Sequence, residues 1–533
     1  MKTQSKGPFL GINNRLPDFA LHISTRQIQG DYLHDAVNVD IDNSGSLRRR
    51  QATEKLVSLT NPHSLHMTSD TDGFMVIGGV MYAVTLPTYS QVLFLILSND
   101  DPVSWLAVGE SLYYSNGTDS GRIEAGVRYP WALPTPAEPT TSQIGGDLFQ
   151  GGHQVAVAYR NAVTGEVGGV SPSSNPSVTT PTGGLRVNLP VAVPGATHID
   201  IYISTVNGAI PMLVATMPVG TTLYDIINYG TGREANQRFE APLPAGTQLF
   251  MFNGCLCAIK GSDVFEGIPY RPGYYLPVEG RIPFPAAVSN AIPAQNGVYV
   301  VADQTYWIPG THITSSKDVI QDVLPYGGAT GTAFSYGDTD KVRYGWFSEH
   351  GVVLADANGA VKAVMYDNIY LAQPASGVST VFSDRGYRRV VSCGWCLNLE
   401  NNAATRYEGF DFTATSGEYG TASDGVYALS ASGKVSAAVN LGKENFGVEN
   451  FKHLPAVYLG VDAETPMELR VQTPEHDYVY AARSADPTTK IQRVDPGKGL
   501  RAGWYNLTVS NADGVDFTLA SVSFAPVAST RRI

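Results

Sequence analysis

The stretch Asn296–Gly310, NGVYVVADQTYWIPG, decides how this chain is read. Asn296-Gly297 is a turn dipeptide that opens a β-rich run, Val298 to Val301. Ala302-Asp303-Gln304 turns the chain, and Thr305 to Ile308 returns before Pro309-Gly310. A turn, two short β-branched and aromatic runs and a closing turn spell one β-hairpin.

The phrase recurs along the sequence. Looser versions stand at Asp72–Val84, Gly109–Ser115, Asn253–Gly267, His350–Asp367 and Asp424–Val435. Each sets a glycine before a short apolar strand: Gly73, Gly109, Gly254, Gly297, Gly351 and Gly425. Most intervals are near or above the roughly 40–50 residues of one propeller blade. The interval from Gly109 to Gly254 is longer by about one small domain. The expected fold is therefore all-β, a β-propeller of about six blades with one inserted domain. Radial repetition of sheets also limits exposed strand edges without helices.

Composition agrees. Charged residues are only 16%, while Gly (55), Pro (33) and Tyr (28) are abundant, which favours short strands and many turns. A net charge of −12 argues against a surface that coats DNA, since phosphate binding needs clustered Lys and Arg. Met1–Gly7 is polar and no apolar signal region follows it, so the expectation is a soluble chain folded in the cytoplasm where it is made.

In chain order, residues 1–50 read as an N-terminal arm with first strands. Residues 51–144 read as the first part of the propeller, ending in the Pro-rich run Pro130, Pro134, Pro136, Pro139. Residues 145–245 hold about seven short strands, among them HIDIYIS with Ile199, Ile201 and Ile203 on one face, and suit a fibronectin III-like β-sandwich. Residues 246–450 resume the propeller, and 451–533 form a C-terminal β-domain. Arg48–Arg50 reads as a solvated sheet edge that blocks pairing, or alternatively as a charged contact with a neighbouring subunit or DNA.

Chemistry is sparse. Cys255 and Cys257, two apart on a strand, point to one face, and Cys393 and Cys396 form CGWC. If the two pairs met, four thiolates would suit zinc or an iron–sulfur cluster. The alternatives are a disulfide or ordinary reduced, buried thiols. Among the histidines, His63 and His66 form the one close pair and read as loop residues. No G-x-S-x-G elbow and no Walker-type loop occurs, and SDRGYRRV (Ser383–Val390) misses a sialidase Asp box by one position, so no enzymatic role is expected. Tyr270, Arg271, Tyr274 and Tyr275 in YRPGYY offer a candidate sugar-binding or hot-spot loop, or a loop packed on a neighbouring blade.

NNRLPDFAL, DAVNVDIDNSGSLRRR, NGCLCAIKGSDVFEG, NGVYVVADQTYWIPG and HGVVLADANGAV together resemble the motif run of the propeller-bearing tail nozzle or tail-hub proteins of tailed bacteriophages. QRVDPGKGLRAGWYNLTVSNADGVDF, Gln492–Phe517, is similar to a phage tail protein ending. The resemblance covers most of the chain except the inserted sandwich, and its motifs are structural phrases rather than catalytic signatures. It implies a virion protein assembled in the host bacterial cytoplasm as a homo-oligomeric, hexameric ring round the DNA channel. Its implied partners are the portal, adaptor or tail-tube proteins and the tail fibres, with DNA passing without sequence-specific binding. A phage adsorption protein, or a propeller lectin or glycan-active enzyme, are the alternative expectations.

Overall fold

The computed structural model describes residues 4–25, 29–339, 341–372, 374–447, 450–483, 488–497 and 499–529. The fold is all-β, as expected; helical structure among the described residues is confined to the short 3-10 turns Asp18–Ala20, Thr314–Val319 and Ala512–Gly514. No helix among them is long and apolar enough to cross a membrane.

Antiparallel four-stranded meanders of propeller type recur through the chain. They occupy 63–96, 104–129, 248–283, 290–324, 334–363 and 379–406, and a further one joins 414–431 to Ala52–Ser58. In that last sheet the early strand pairs with Gly425–Ala431, so a strand from the start of the chain completes a sheet from its end. The described residues thus hold one more meander than the six glycine-led phrases. The extra one carries CGWC. Ser392 pairs with Trp395, and Cys393 and Gly394, at φ 50° and 77°, make the two-residue turn between them. Two positive φ values in a two-residue loop match the twist of the flanking strands. Asn253-Gly254 (φ 45° and 80°) does the same between Phe252 and Cys255.

The leading glycine of the 290–324 sheet serves a different need. A Cβ on Gly297 would lie 2.3 Å from the Ile308 carbonyl oxygen and 2.7 Å from the Trp307 ring. The ring covers the glycine and lies tilted against Tyr299, with ring centroids 4.4 Å apart. Gly121 under Tyr114 and Gly345 under Phe334 repeat this arrangement.

The chain divides into two compact units, 101–321 and 1–100 with 322–533. In the first, the period-2 alternation of one sheet feeds two cores. Leu249, Leu256, Ala258 and Phe265 pack with Tyr113 of the 104–129 meander. Phe250, Phe252, Cys255, Cys257 and Ile259 pack with Ala291, Val298 and Val300 of the next. Sheets stacked face to face in this way bury both faces. Residues 141–226 of the same unit form a two-sheet sandwich. One sheet is Thr141–Gly152, Ser177–Asn188 and Leu223–Ile226, and the other Val155–Arg160, His198–Ser204 and Pro211–Pro218. Ile199, Ile201 and Ile203 enter its core with Val155, Val157, Leu148, Leu185 and Val187. Each such fully buried aliphatic side chain contributes roughly 1.5–3 kcal/mol.

In the other unit, the described residues among the first 50 are not a separate arm. Asp35–Val37 lies between Ala404–Arg406 and Ala438–Glu444 in a nine-stranded sheet that runs on through Tyr505–Asn511 and Met467–Gln472. The hairpin Val39–Ile41/Leu47–Arg49 joins the facing sheet beside Phe517–Phe524. Phe9, Leu33, Val39 and Leu47 share one core with Val457, Leu469, Tyr505 and Leu519. The C-terminal domain is therefore made from both ends of the chain. The arginine triplet is corrected accordingly. Arg49 and Arg50 are buried, Arg49 donating to the Gly433 carbonyl and Arg50 to the Asn38 side chain and the Glu408 carbonyl; only Arg48 meets solvent.

Gly297→Ala forces Trp307 and the 305–309 strand apart and is expected to destabilise by about 1–3 kcal/mol. Gly145, where an added Cβ meets nothing within 4 Å, is the control. Urea unfolding of the two variants should show a lowered midpoint for Gly297→Ala alone.

Candidate functional site

Charged side chains gather inside the fold at a few carboxylates, and the best developed is Asp40. It sits on the Val39–Ile41 strand with its side chain 1% exposed. The Arg385 and Arg389 guanidinium groups each approach Oδ2 to 3.4 Å, and the Tyr387 hydroxyl lies at the same distance. On Oδ1, Tyr407 donates a short hydrogen bond and the Cys396 thiol lies at 3.6 Å. Asp384 pairs with Arg389. Burial, and then the charge of Asp40, push the Tyr387 and Tyr407 phenols far up. Both therefore stay protonated and remain donors. The stretch that fell one position short of an Asp box, SDRGYRRV, is thus the arginine- and tyrosine-bearing wall around Asp40.

The inserted sandwich repeats the device. Asp200 alternates with the isoleucines, so it faces away from the sandwich core, yet it is fully buried. Arg233 lies at 2.7 Å, Thr216 donates at 2.7 Å and Arg160 lies at 3.2 Å. Burial and the Asp200 charge push neighbouring Tyr202 up to about 12. In the YRPGYY loop, Tyr270 is exposed at a turn, but Tyr274 is buried. Its hydroxyl donates to Glu166 at 2.6 Å and accepts the Leu133 N–H at 2.8 Å. Arg271 stacks on Tyr274 and binds Glu240. Tyr275 packs edge-on against Phe265, so Arg271, Tyr274 and Tyr275 of the candidate loop lie in a strand and are consumed in packing.

The four cysteines do not assemble as one ligand set. Cys255 and Cys257 do share a face, in the core of unit 101–321. Cys393 and Cys396 belong to the other unit and face opposite sides of their sheet. Cys393 packs against the core that holds Val390 and Leu397, whereas Cys396 lies with Val391 and Tyr407. All four are free thiols. The CxxC spacing failed as a signal because its first two residues make the hairpin turn, which leaves Cys393 before the strand and Cys396 within it.

Cys255 instead has two other neighbours. Glu266 is opposite Cys257 in the adjacent strand, so its side chain projects on the same face. His312 follows the Thr305–Pro309 strand, and its Nδ1 is 3.4 Å from Glu266 Oε1. The ligand atoms of Cys255, Glu266 and His312 all lie within 4.8 Å of one another, the one such trio among the described residues. Burial, then the Glu266 charge, push the Cys255 thiol up to about 11. Sequence reading named Cys255 but passed over Glu266 and His312, because no local spacing links three positions on separate strands and a loop. His63, of the close pair, is in the strand His63–Met67 rather than a loop, with Nε2 3.0 Å from Asp100.

No protein-family model and no curated protein matches this chain. Solved structures with related backbone traces include an exo-β-1,3-galactanase from Phanerochaete chrysosporium (10% identity, TM-score 0.17, 88% of this chain and 100% of that one). The N-terminal domain of Nup159 (12%, 0.25, 75% and 94%) and apo AztD from Citrobacter koseri (9%, 0.22, 64% and 95%) are others. At TM-scores this low the likeness carries no argument.

Removing the Asp40 carboxylate leaves buried Arg389 with Asp384 as its remaining anion and strips Arg385 of its buried partner. Asp40→Ala is expected to cost roughly 3–5 kcal/mol, as breaking one side of a buried ion pair does. The check is chemical denaturation followed by fluorescence. A loss under about 1 kcal/mol, the scale of a surface pair, would contradict the assignment.

Proposed function

We propose that this chain is a structural subunit of a bacteriophage tail, a nozzle or hub protein that forms a ring round the DNA path and docks fibres or adsorption proteins. In this reading it is not an enzyme, and its buried carboxylates serve as internal ties. The motif resemblance supplies the family. One structural observation supports assembly with further copies. Ser90–Ile96, SQVLFLI, is the outer strand of the 63–96 meander and has no partner on its far side among the described residues. Val92, Leu93 and Ile96 are 67%, 57% and 71% exposed. A long, uncharged, apolar edge strand is a template for pairing, and monomeric soluble proteins usually block such edges with charge or proline. The acidic net charge is compatible with DNA passing nearby without adhering.

The test is a cryo-EM reconstruction of the intact particle, with no symmetry imposed on the tail, combined with light scattering of the purified chain. The reading expects a ring of copies on the tail axis, and a Val92→Lys/Ile96→Lys double variant that stays folded but is not incorporated. Copies attached laterally or only at the distal tip would overturn it in favour of adsorption, and absence from every particle would overturn both.

A further inference from the structure

We propose that Cys255, Glu266 and His312 form a zinc site that clamps two neighbouring meanders together. The donors are one sulfur, one carboxylate oxygen and one imidazole nitrogen, a borderline-soft set that suits Zn²⁺ and poorly suits the hard cations Mg²⁺ and Ca²⁺. Their ligand atoms all lie within 4.8 Å of one another, so one ion can reach all three. The Glu266–His312 approach of 3.4 Å is already that of two ligands on one ion.

The surroundings are built for it. The Glu266 carboxylate is fixed by three donors: the Ile313 N–H at 2.9 Å on Oε1, and the Thr314 N–H at 2.8 Å and hydroxyl at 2.6 Å on Oε2. Oε1 keeps a lone pair for an ion, and hydrogen-bonded carboxylates are what metal sites use to orient their ligands. Cys255 is held by the Asn253-Gly254 turn at the start of its strand and packs in the core that includes Ile313. His312, with its side chain 47% exposed, leaves a solvent-facing approach for the ion and a water in the fourth position. Zinc binding displaces the Cys255 proton to solvent, and the thiolate becomes the ligand. The clamp joins the 248–283 sheet, through Cys255 and Glu266, to the loop that follows the 305–309 strand. The ion would tie two elements that are distant in sequence while keeping one open, water-filled position, and the site does not depend on the tail reading.

The test is titration of the purified, reduced full-length chain with Co²⁺, which reports thiolate ligation by a charge-transfer band, followed by displacement with Zn²⁺. The expected result is one ion per chain. Cys255→Ser should lose the charge-transfer band, while His312→Ala, at an exposed position that leaves the core intact, should weaken binding at least about tenfold. A folded wild-type chain without the band overturns the proposal. So does a band that survives Cys255→Ser, or affinity unchanged in His312→Ala.

Discussion

A carboxylate taken out of water must find enough positive charge and enough hydrogen-bond donors to replace its hydration. Asp40 meets that demand with groups from far along the chain, Arg385, Tyr387, Arg389, Cys396 and Tyr407. This requirement binds the N-terminal hairpin to the 379–406 meander. Unpaired, Asp40 would oppose burial of Val39 and Ile41 on the same strand. Paired, it fixes the strand in one register, since a one-residue slip would turn the carboxylate into the apolar core on the other face. Asp200 makes the same demand of the inserted sandwich and meets it with Arg160, Arg233 and Thr216.

The meanders around these ties follow from strand alternation. In Cys255–Lys260, odd positions face one neighbour and even positions the other, so this sheet is a shared wall between two cores. The missing side chain at Gly297 leaves the space that the Trp307 ring and the Ile308 carbonyl occupy. The apolar strand Ser90–Ile96 departs from this economy, because its exposed residues satisfy no internal core.

Much of this was legible in the sequence because it is local. Turn dipeptides such as Asn253-Gly254 and the β-branched runs after them fix hairpins within about fifteen residues, and HIDIYIS announces a half-buried strand by period alone. What the sequence hid is non-local. Nothing near Asp40 announces Arg389, and nothing near Arg50 announces the Glu408 carbonyl, so the arginine triplet looked like a solvated edge. Cys393-Gly394 looked like half of a metal motif because a type I′ turn and a CxxC motif can share the same letters. Glu266 and His312 became neighbours of Cys255 only through strand pairing and a loop crossing, which residue spacing does not encode.

The buried Asp40 tie locks the N-terminal strands into the fold, so they should open only with it. Native-state hydrogen exchange tests this directly. The amides of Val39–Ile41 should exchange as slowly as those of Arg389–Ser392 and Ala404–Arg406, and through the same opening event as denaturant is raised. Fast exchange of Val39–Ile41 while the 389–406 amides stay protected would contradict the claim, because the N-terminal hairpin would then be able to leave without breaking the tie.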